Sequence, residues 1–428
     1  MKKILLISPH YPPSNLAAVH RSRLFAQHLP EFGWEPIILT VDESYYEEKL
    51  DWNLHKLLPA MQHIEKVKAF AVTKPRLIGD IGLRSFFQLR KKAIELVKKE
   101  QIDFVYIPIP SFYVSLIGAY LHLKTGVKYG IDYIDPWVHK FPGSDKKLSR
   151  HWWSMKLAGW LEPKAVRKAS LITGVAAGYY QGVMDRNPRL KNTCVFGHMP
   201  YGGEAADHEG LKELALQPYL FQKNDKLQLI YAGAMLPKAY GPLEAVFRAI
   251  AANKEQFSEV EFHFVGTGKT SGDENGFNIK PLAVKYDLWQ TIVFEYPKRI
   301  PYLDVLIHLD AADAVFILGS TEPHYTPSKT YQGVLSKKSI LAVLHTQSTA
   351  VKIIHSTNAG LVLDFNGEEG VDEIRNRFSQ FFKKFVLFHQ SYNIEKVDTA
   401  LFNQYSAREV TRELVLLLEK AIKDINIS

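Results

Sequence analysis

The sequence predicts an α/β protein built from two doubly wound, Rossmann-like domains facing a central cleft. Three observations carry that expectation. Continuous apolar runs of strand length alternate with helical patterns along the chain, as parallel sheets covered on both faces require. At 428 residues there is material for two domains of about 200 residues each. The rhythm breaks once, around Met199–Lys226, where Gly, Pro and acidic residues interrupt it. The expected division is therefore 1–205, then 206–395, then a terminal segment 396–428 that crosses back to the first domain.

In the first half the strand-like runs are "KKILLIS", "EPIILTV", "DFVYIPI", "VKYGIDYI" and "ASLITGV". The first leads into "HYPPSNLAAVHRSRLF", a turn with two prolines, Ser14, Asn15 and Leu16, followed by a helix carrying Arg21 and Arg23. A turn at that place suits a ligand, because this architecture binds ligands at the carboxyl ends of its strands. "YIDPWVHK" puts Asp135, with His139 nearby, at another strand end, where the carboxylate could orient a substrate hydroxyl. An N-capping role before Pro136 is the alternative.

Two stretches of this half mix aromatic and basic residues. "LRSFFQLRKKAIELVKK" places Phe86, Leu89, Ala93 and Val97 on one stripe. "KKLSRHWWSMKLAGWLEPKAVRK" carries Trp152, Trp153 and Trp160 among lysines and arginines. Aromatics flanked by cations suit a headgroup boundary, so contact with an anionic membrane is one reading. Burial of both stripes inside the domain is the other.

The second half repeats the plan with "LQLIYAG", "VEFHFVG", "TIVFEY", "DAVFILG", "SILAVL" and "GLVLDF". After the first of these, Gly233 permits close backbone approach and Lys238 stands in the loop. After the second comes "FVGTGKT", with Gly266, Thr267 and Lys269. The strongest local signal is "LGSTEPHYTPSKTYQGVLSKKSILAVL". Here Pro327 delivers the chain to a helix with Ser328 as N-cap and Lys329 in the first turn. A cation at a helix N-terminus opposes the macrodipole, which makes sense if an anion binds there. The last segment, "YSAREVTRELVLLLEKAIKDI", predicts one amphipathic helix starting at Ser406.

Composition limits the function classes. Hydrophobic content of 46% with 23% charged residues is ordinary globular composition. The single cysteine, Cys194, excludes an internal disulfide and fits a reducing compartment. The apolar run at the start is too short for a signal peptide, and no stretch reaches the ~20 apolar residues of a membrane span. A cytoplasmic protein is expected. The net charge of +8 suits an anionic small substrate or an anionic membrane surface. Nucleic acid is not expected, because no nucleic-acid motif accompanies the charge. A nicotinamide dehydrogenase is not expected, because no Gly-x-Gly-x-x-Gly follows the first strand.

Taken together, "ISPHYPPSNLAAVHRSRLFAQHLPEFGWEPIILTV", "IDYIDPWVHKF", "AADAVFILGS" and "TPSKTYQGVLSKKSILAVL" resemble, in order and spacing, the family 4-type glycosyltransferases of the GT-B fold. The resemblance covers nearly the whole chain. It implies a retaining glycosyltransferase that moves a sugar from a nucleotide-sugar donor to a glycan or lipid-linked acceptor, as in the biosynthesis of surface polysaccharide. It implies no cofactor and no metal: cationic side chains and helix N-termini stabilise the departing diphosphate. On this resemblance Asp135, Lys238 and Lys329 are the catalytic candidates. Ser14, Asn15, Arg21, Gly233, Gly266, Thr267, Pro327, Ser328 and Gln332 are the candidates for donor binding.

Two departures stand out. Relatives carry two glycines where this chain has Asn15 and Leu16, and leucine does not suit the left-handed backbone. Relatives also carry glutamates where this chain has His324 and Gln332, and glutamine accepts fewer hydrogen bonds from a ribose. A nucleotide-sugar-binding subunit without catalysis, or a GT-B sugar-nucleotide epimerase, are the alternatives.

Overall fold

A computed structural model describes residues 1–73, 78–139, 146–268, 273–323 and 327–423. The chain divides into two compact units, Met1–Tyr201 together with Ala407–Ser428, and Gly202–Ser406.

The first unit is a seven-stranded sheet of β1 (Lys2–Ile7), β2 (Trp34–Val41), β3 (His63–Val67), β4 (Phe104–Ile109), β5 (Lys128–Tyr133), β6 (Leu171–Gly174) and β7 (Val195–His198). The order is β3-β2-β1-β4-β5-β6-β7 and every pairing is parallel. The central strands are buried along most of their length because helices cover both faces. One face packs on helices Phe86–Lys99, Ser115–Thr125 and Arg150–Val166 through Leu89, Ala93, Ile117, Leu121, Ala158 and Ala165. The other face packs on helix Ala17–His28 and on the terminal helix Ala407–Ile422, whose Val410, Leu414 and Leu418 join Ile4, Leu6 and Phe25. Lys128 closes the end of that terminal helix, its Nζ donating to the carbonyls of Ala421 (3.3 Å) and Ile422 (2.7 Å).

The second unit is a six-stranded parallel sheet of β8 (Leu227–Ala232), β9 (Val260–Val265), β10 (Val293–Tyr296), β11 (Ala314–Leu318), β12 (Ser339–His345) and β13 (Gly360–Phe365), ordered β10-β9-β8-β11-β12-β13. In each sheet the chain winds outward in both directions from a central pair, β1 and β4 in one, β8 and β11 in the other. Those pairs are the topological switch points, and the crevice outside their carboxyl ends is where such sheets take ligands.

Two strands, β3 and β7, lie outside the strand-like runs of the sequence. Both are edge strands and only partly buried. An edge strand needs no continuous apolar run, so its sequence carries a weak signal. Among the described residues, no helix is long and apolar enough to cross a membrane.

Candidate functional site

At the switch point of the second unit, Tyr231 and Ala232 end strand β8 and Gly233 follows at φ +127°. Helix Lys329–Leu335 begins beside it. Lys329 runs along Gly233 so closely that a Cβ added to the glycine would sit 2.5 Å from Lys329 Cε. The backbone angle calls for glycine at this position, and the missing Cβ leaves room for the lysine stem. The Lys329 ammonium ends 3.7 Å from the centroid of the Tyr231 ring. It is fully shielded from solvent and has no hydrogen-bond partner among the described residues. Burial alone draws its pKa down from 10.5 to about 7. A cation–π contact offsets part of that cost, but the ammonium retains unused donors. Lys329 is thus a buried amine whose hydrogen-bonding capacity no described residue takes up.

The loop after β9 contributes the neighbouring wall. Gly266 takes φ +72°, and a Cβ added to it would sit 3.9 Å from the Gly233 backbone. Thr267 is buried, and its hydroxyl donates to Glu295 at 2.5 Å. Glu295 also accepts the backbone N–H groups of Asn278, Ile279 and Lys280, at 2.9, 2.9 and 2.8 Å. Glu295 therefore fixes this loop, leaving Thr267 as a strut. Lys269 and His324 fall outside the described residues.

Other candidates of this unit are placed as follows. Pro327 is buried, and its carbonyl accepts from Thr330 N–H at 3.0 Å. Ser328 occupies the N-cap position but its side chain caps nothing and is exposed. Lys238 is half-exposed and lies 3.5 Å from Glu322. Gln332 receives His208 Nε2 on its side-chain oxygen at 2.7 Å. Burial lowers the pKa of His208, so the ring is neutral at pH 7 and donates its one N–H.

In the first unit the turn after β1 is closed by side chains where a glycine-rich turn would rely on backbone freedom. Ser8 Oγ donates to the His10 carbonyl at 2.8 Å and Tyr11 N–H to the Tyr46 hydroxyl at 3.0 Å. Ser14 uses its N–H on Tyr11 O (3.0 Å) and its hydroxyl on Glu48. His10 Nδ1 stands 2.8 Å from that same carboxylate. His10 and Ser14 overcome the effect of burial and bring the Glu48 pKa down to about 2. Asn15 Oδ1 meets His20 Nε2 at 2.8 Å. Leu16 sits at φ −88°, ψ 152°, ordinary extended backbone. The loop avoids the left-handed angles that a leucine would resist.

Arg21 is buried and forms a two-point pair with Asp132, Nη2 to Oδ1 at 3.2 Å and Nε to Oδ2. Its third nitrogen donates to the Pro200 carbonyl at 2.7 Å. Thr173 Oγ1 donates to the same Asp132 at 2.8 Å. Asp135, three residues on, is exposed beyond the end of β5, and the protein atoms around it raise its pKa against an opposing effect of His139.

The structure therefore gathers Gly233, Gly266 and Lys329 at one switch point, and Ser14, Asn15 and Arg21 around the other sheet. Sequence reasoning passed over Tyr231, His208, Glu295, Glu48 and Asp132. Asp132 had a visible signal, a carboxylate inside the buried strand "KYGIDY". His208 had none, since its partner is 124 residues away. Among the described residues, no group of three or more His, Cys, Asp or Glu is arranged to hold a metal ion.

Two Rossmann-like units, each open at the carboxyl ends of its central strands, define the GT-B fold. Solved structures with that fold match the chain across its length. Anabaena HepE in complex with UDP and glucose superposes with a TM-score of 0.61 at 13% identity, over 98% of this chain and 100% of that one. Sucrose-phosphate synthase from Thermosynechococcus elongatus gives 0.60 at 12% identity, over 98% and 99%. The trehalose 6-phosphate synthase of Burkholderia multivorans gives 0.60 at 10%, over 98% of each chain. At such identities the likeness is one of fold. No protein-family model matches the chain, and no curated protein matches its sequence.

Proposed function

We propose that the chain is a glycosyltransferase that holds the diphosphate of a nucleotide-sugar against Lys329 and passes the sugar to a hydroxyl of a glycan or lipid-linked acceptor. The observation that carries this reading is the Lys329 ammonium, buried without a hydrogen-bond partner among the described residues, beside a glycine at the switch point of the second sheet. In the reaction the bond from the anomeric carbon to the phosphate oxygen breaks and its electron pair stays on the β-phosphate. The acceptor oxygen bonds to the anomeric carbon, and its proton passes to the leaving phosphate. A preorganised cation at that phosphate lowers the barrier, because the charge it meets grows during the step. Lys238 is a second cation for the same charge. Retention at the anomeric carbon and independence of metal are part of the proposal. Within the first unit we assign Asp135 to orientation of the acceptor hydroxyl.

A second reading has its own observation. Gln332 is already engaged by His208, which weakens its use as a ribose acceptor and suits a subunit that binds a nucleotide-sugar without turning it over.

The test is calorimetry with nucleoside diphosphates, followed by donor hydrolysis and transfer assays. A UDP-sugar is the first donor to try, since the Anabaena structures contain UDP and UDP-glucose. Binding that depends on Lys329 together with hydrolysis or transfer supports the enzyme. Binding with no turnover on any acceptor supports the subunit. Absence of nucleotide binding overturns both.

A further inference from the structure

Helix Arg150–Val166 in the first unit turns two faces in nearly opposite directions. Ala158, Glu162 and Ala165 face the sheet and are buried. Trp153, Leu157, Trp160 and Lys164 follow at spacings of four, three and four, so they share the outer face. Trp153 is 57% exposed and Trp160 62%. Leaving two indoles in water forfeits much apolar burial, and such a patch on a folded chain marks a contact surface.

The charge around this face is of one sign. Lys146, Lys147, Arg150, Lys156, Lys164, Arg167 and Lys168 are all exposed. The one acid between positions 146 and 168 is Glu162, which is buried and held by Arg186 at 2.8 and 2.9 Å. Its charge is therefore absent from the surface. Two of the lysines lie against the indoles, Lys156 Nζ 5.4 Å from the Trp152 centroid and Lys164 Nζ 3.1 Å from that of Trp160. Just before the helix, Leu148 holds φ +63° with its side chain 74% exposed. A strained backbone that presents an apolar side chain to solvent adds to the same face.

We propose that this face docks on an anionic lipid surface. Indoles beside ammonium groups fit the boundary between headgroups and acyl chains, with the rings inserted and the cations among the phosphates. A protein partner fits less well, because lysine is depleted from protein interfaces. Nucleic acid would satisfy the cations but leave Leu148 and Leu157 unexplained. The inference stands apart from the nucleotide chemistry of the second unit.

The test is co-sedimentation of the full chain with phosphatidylcholine vesicles, with and without phosphatidylglycerol, in low and high salt. The expected result is binding to the anionic vesicles alone, weakened by salt, with a blue shift of tryptophan emission. Lys156→Glu with Lys164→Glu should weaken binding at least about tenfold, and Trp153→Ser with Trp160→Ser should remove the blue shift. All four side chains are solvent-facing, and unchanged melting temperatures would confirm that the variants fold. Absence of vesicle binding, equal binding to neutral vesicles, or indifference to both double variants would overturn the proposal. So would single-stranded RNA that binds more tightly than the vesicles and displaces them. Nucleotide binding is no part of this readout, so its failure and that of the donor-site reading are separable.

Discussion

Arg21 and Lys329 are both buried cations on helices that follow a central strand, and they are treated in opposite ways. Arg21 is enclosed by its own unit: Asp132 takes two of its nitrogens and the Pro200 carbonyl a third. Lys329 has an aromatic face beneath it and no acceptor among the described residues. The cost of burying charge is offset in the first case and left standing in the second, and that lowers the lysine's pKa to about 7. A buried cation therefore reports a ligand only when the fold has not already answered it.

The largest expected effect breaks the answered case. Asp132→Ala leaves Arg21 buried and unpaired, which should cost about 3–5 kcal/mol of stability; urea melts will show whether it does. A loss below about 1 kcal/mol would mean that the pair is not what holds this region.

Lys329→Met should do the reverse, keeping or raising stability while weakening nucleoside diphosphate binding by about 1.5–3 kcal/mol, as seen by calorimetry. Should this variant lose stability as Asp132→Ala does and still bind nucleotide normally, the contrast between the two cations fails.

Titration sharpens the same point. Between about pH 7 and 10.5 the unfolded chain holds a proton on Lys329 that the folded chain lacks. Stability should therefore rise with pH through that window in wild type relative to Lys329→Met. Diphosphate binding should take up a proton there and weaken as pH climbs above about 7. Calorimetry in buffers of different ionisation enthalpy measures that uptake, and pH-independent affinity without uptake would count against the donor contact.

Gly233→Ala should cost about 1–3 kcal/mol through its backbone angle and also displace Lys329, so melting and affinity fall together. At the small end, Lys238→Ala breaks an exposed pair with Glu322 and should change stability by less than about 1 kcal/mol, with a smaller loss of affinity than Lys329→Met.

Much of the fold was legible because parallel strands buried on both faces write continuous apolar runs, as in "KKILLIS" and "SILAVL". The edge strands β3 and β7 wrote none. Of the two aromatic, basic helices, Phe86–Lys99 buries Leu89, Ala93 and Val97 and leaves Phe87 outside, while Arg150–Val166 buries Ala158 and Ala165 and leaves Trp153 and Trp160 outside. Their compositions are alike; only packing against the sheet decides which of their aromatic side chains stay outside. Gly233 and Lys329 were visible as residues out of keeping with their local structure. Their meeting was not, because it depends on β8 and β11 lying side by side.

The sequence by itself determined the alternation of strand and helix and the positions where the backbone needs glycine, since both follow from local periodicity and local sterics. Tertiary structure decided which charges are answered. Asp132 reaches Arg21 across 111 positions of sequence and His208 reaches Gln332 across 124. Partners so far apart leave no spacing to read, and a charge's energy depends on what surrounds it in space.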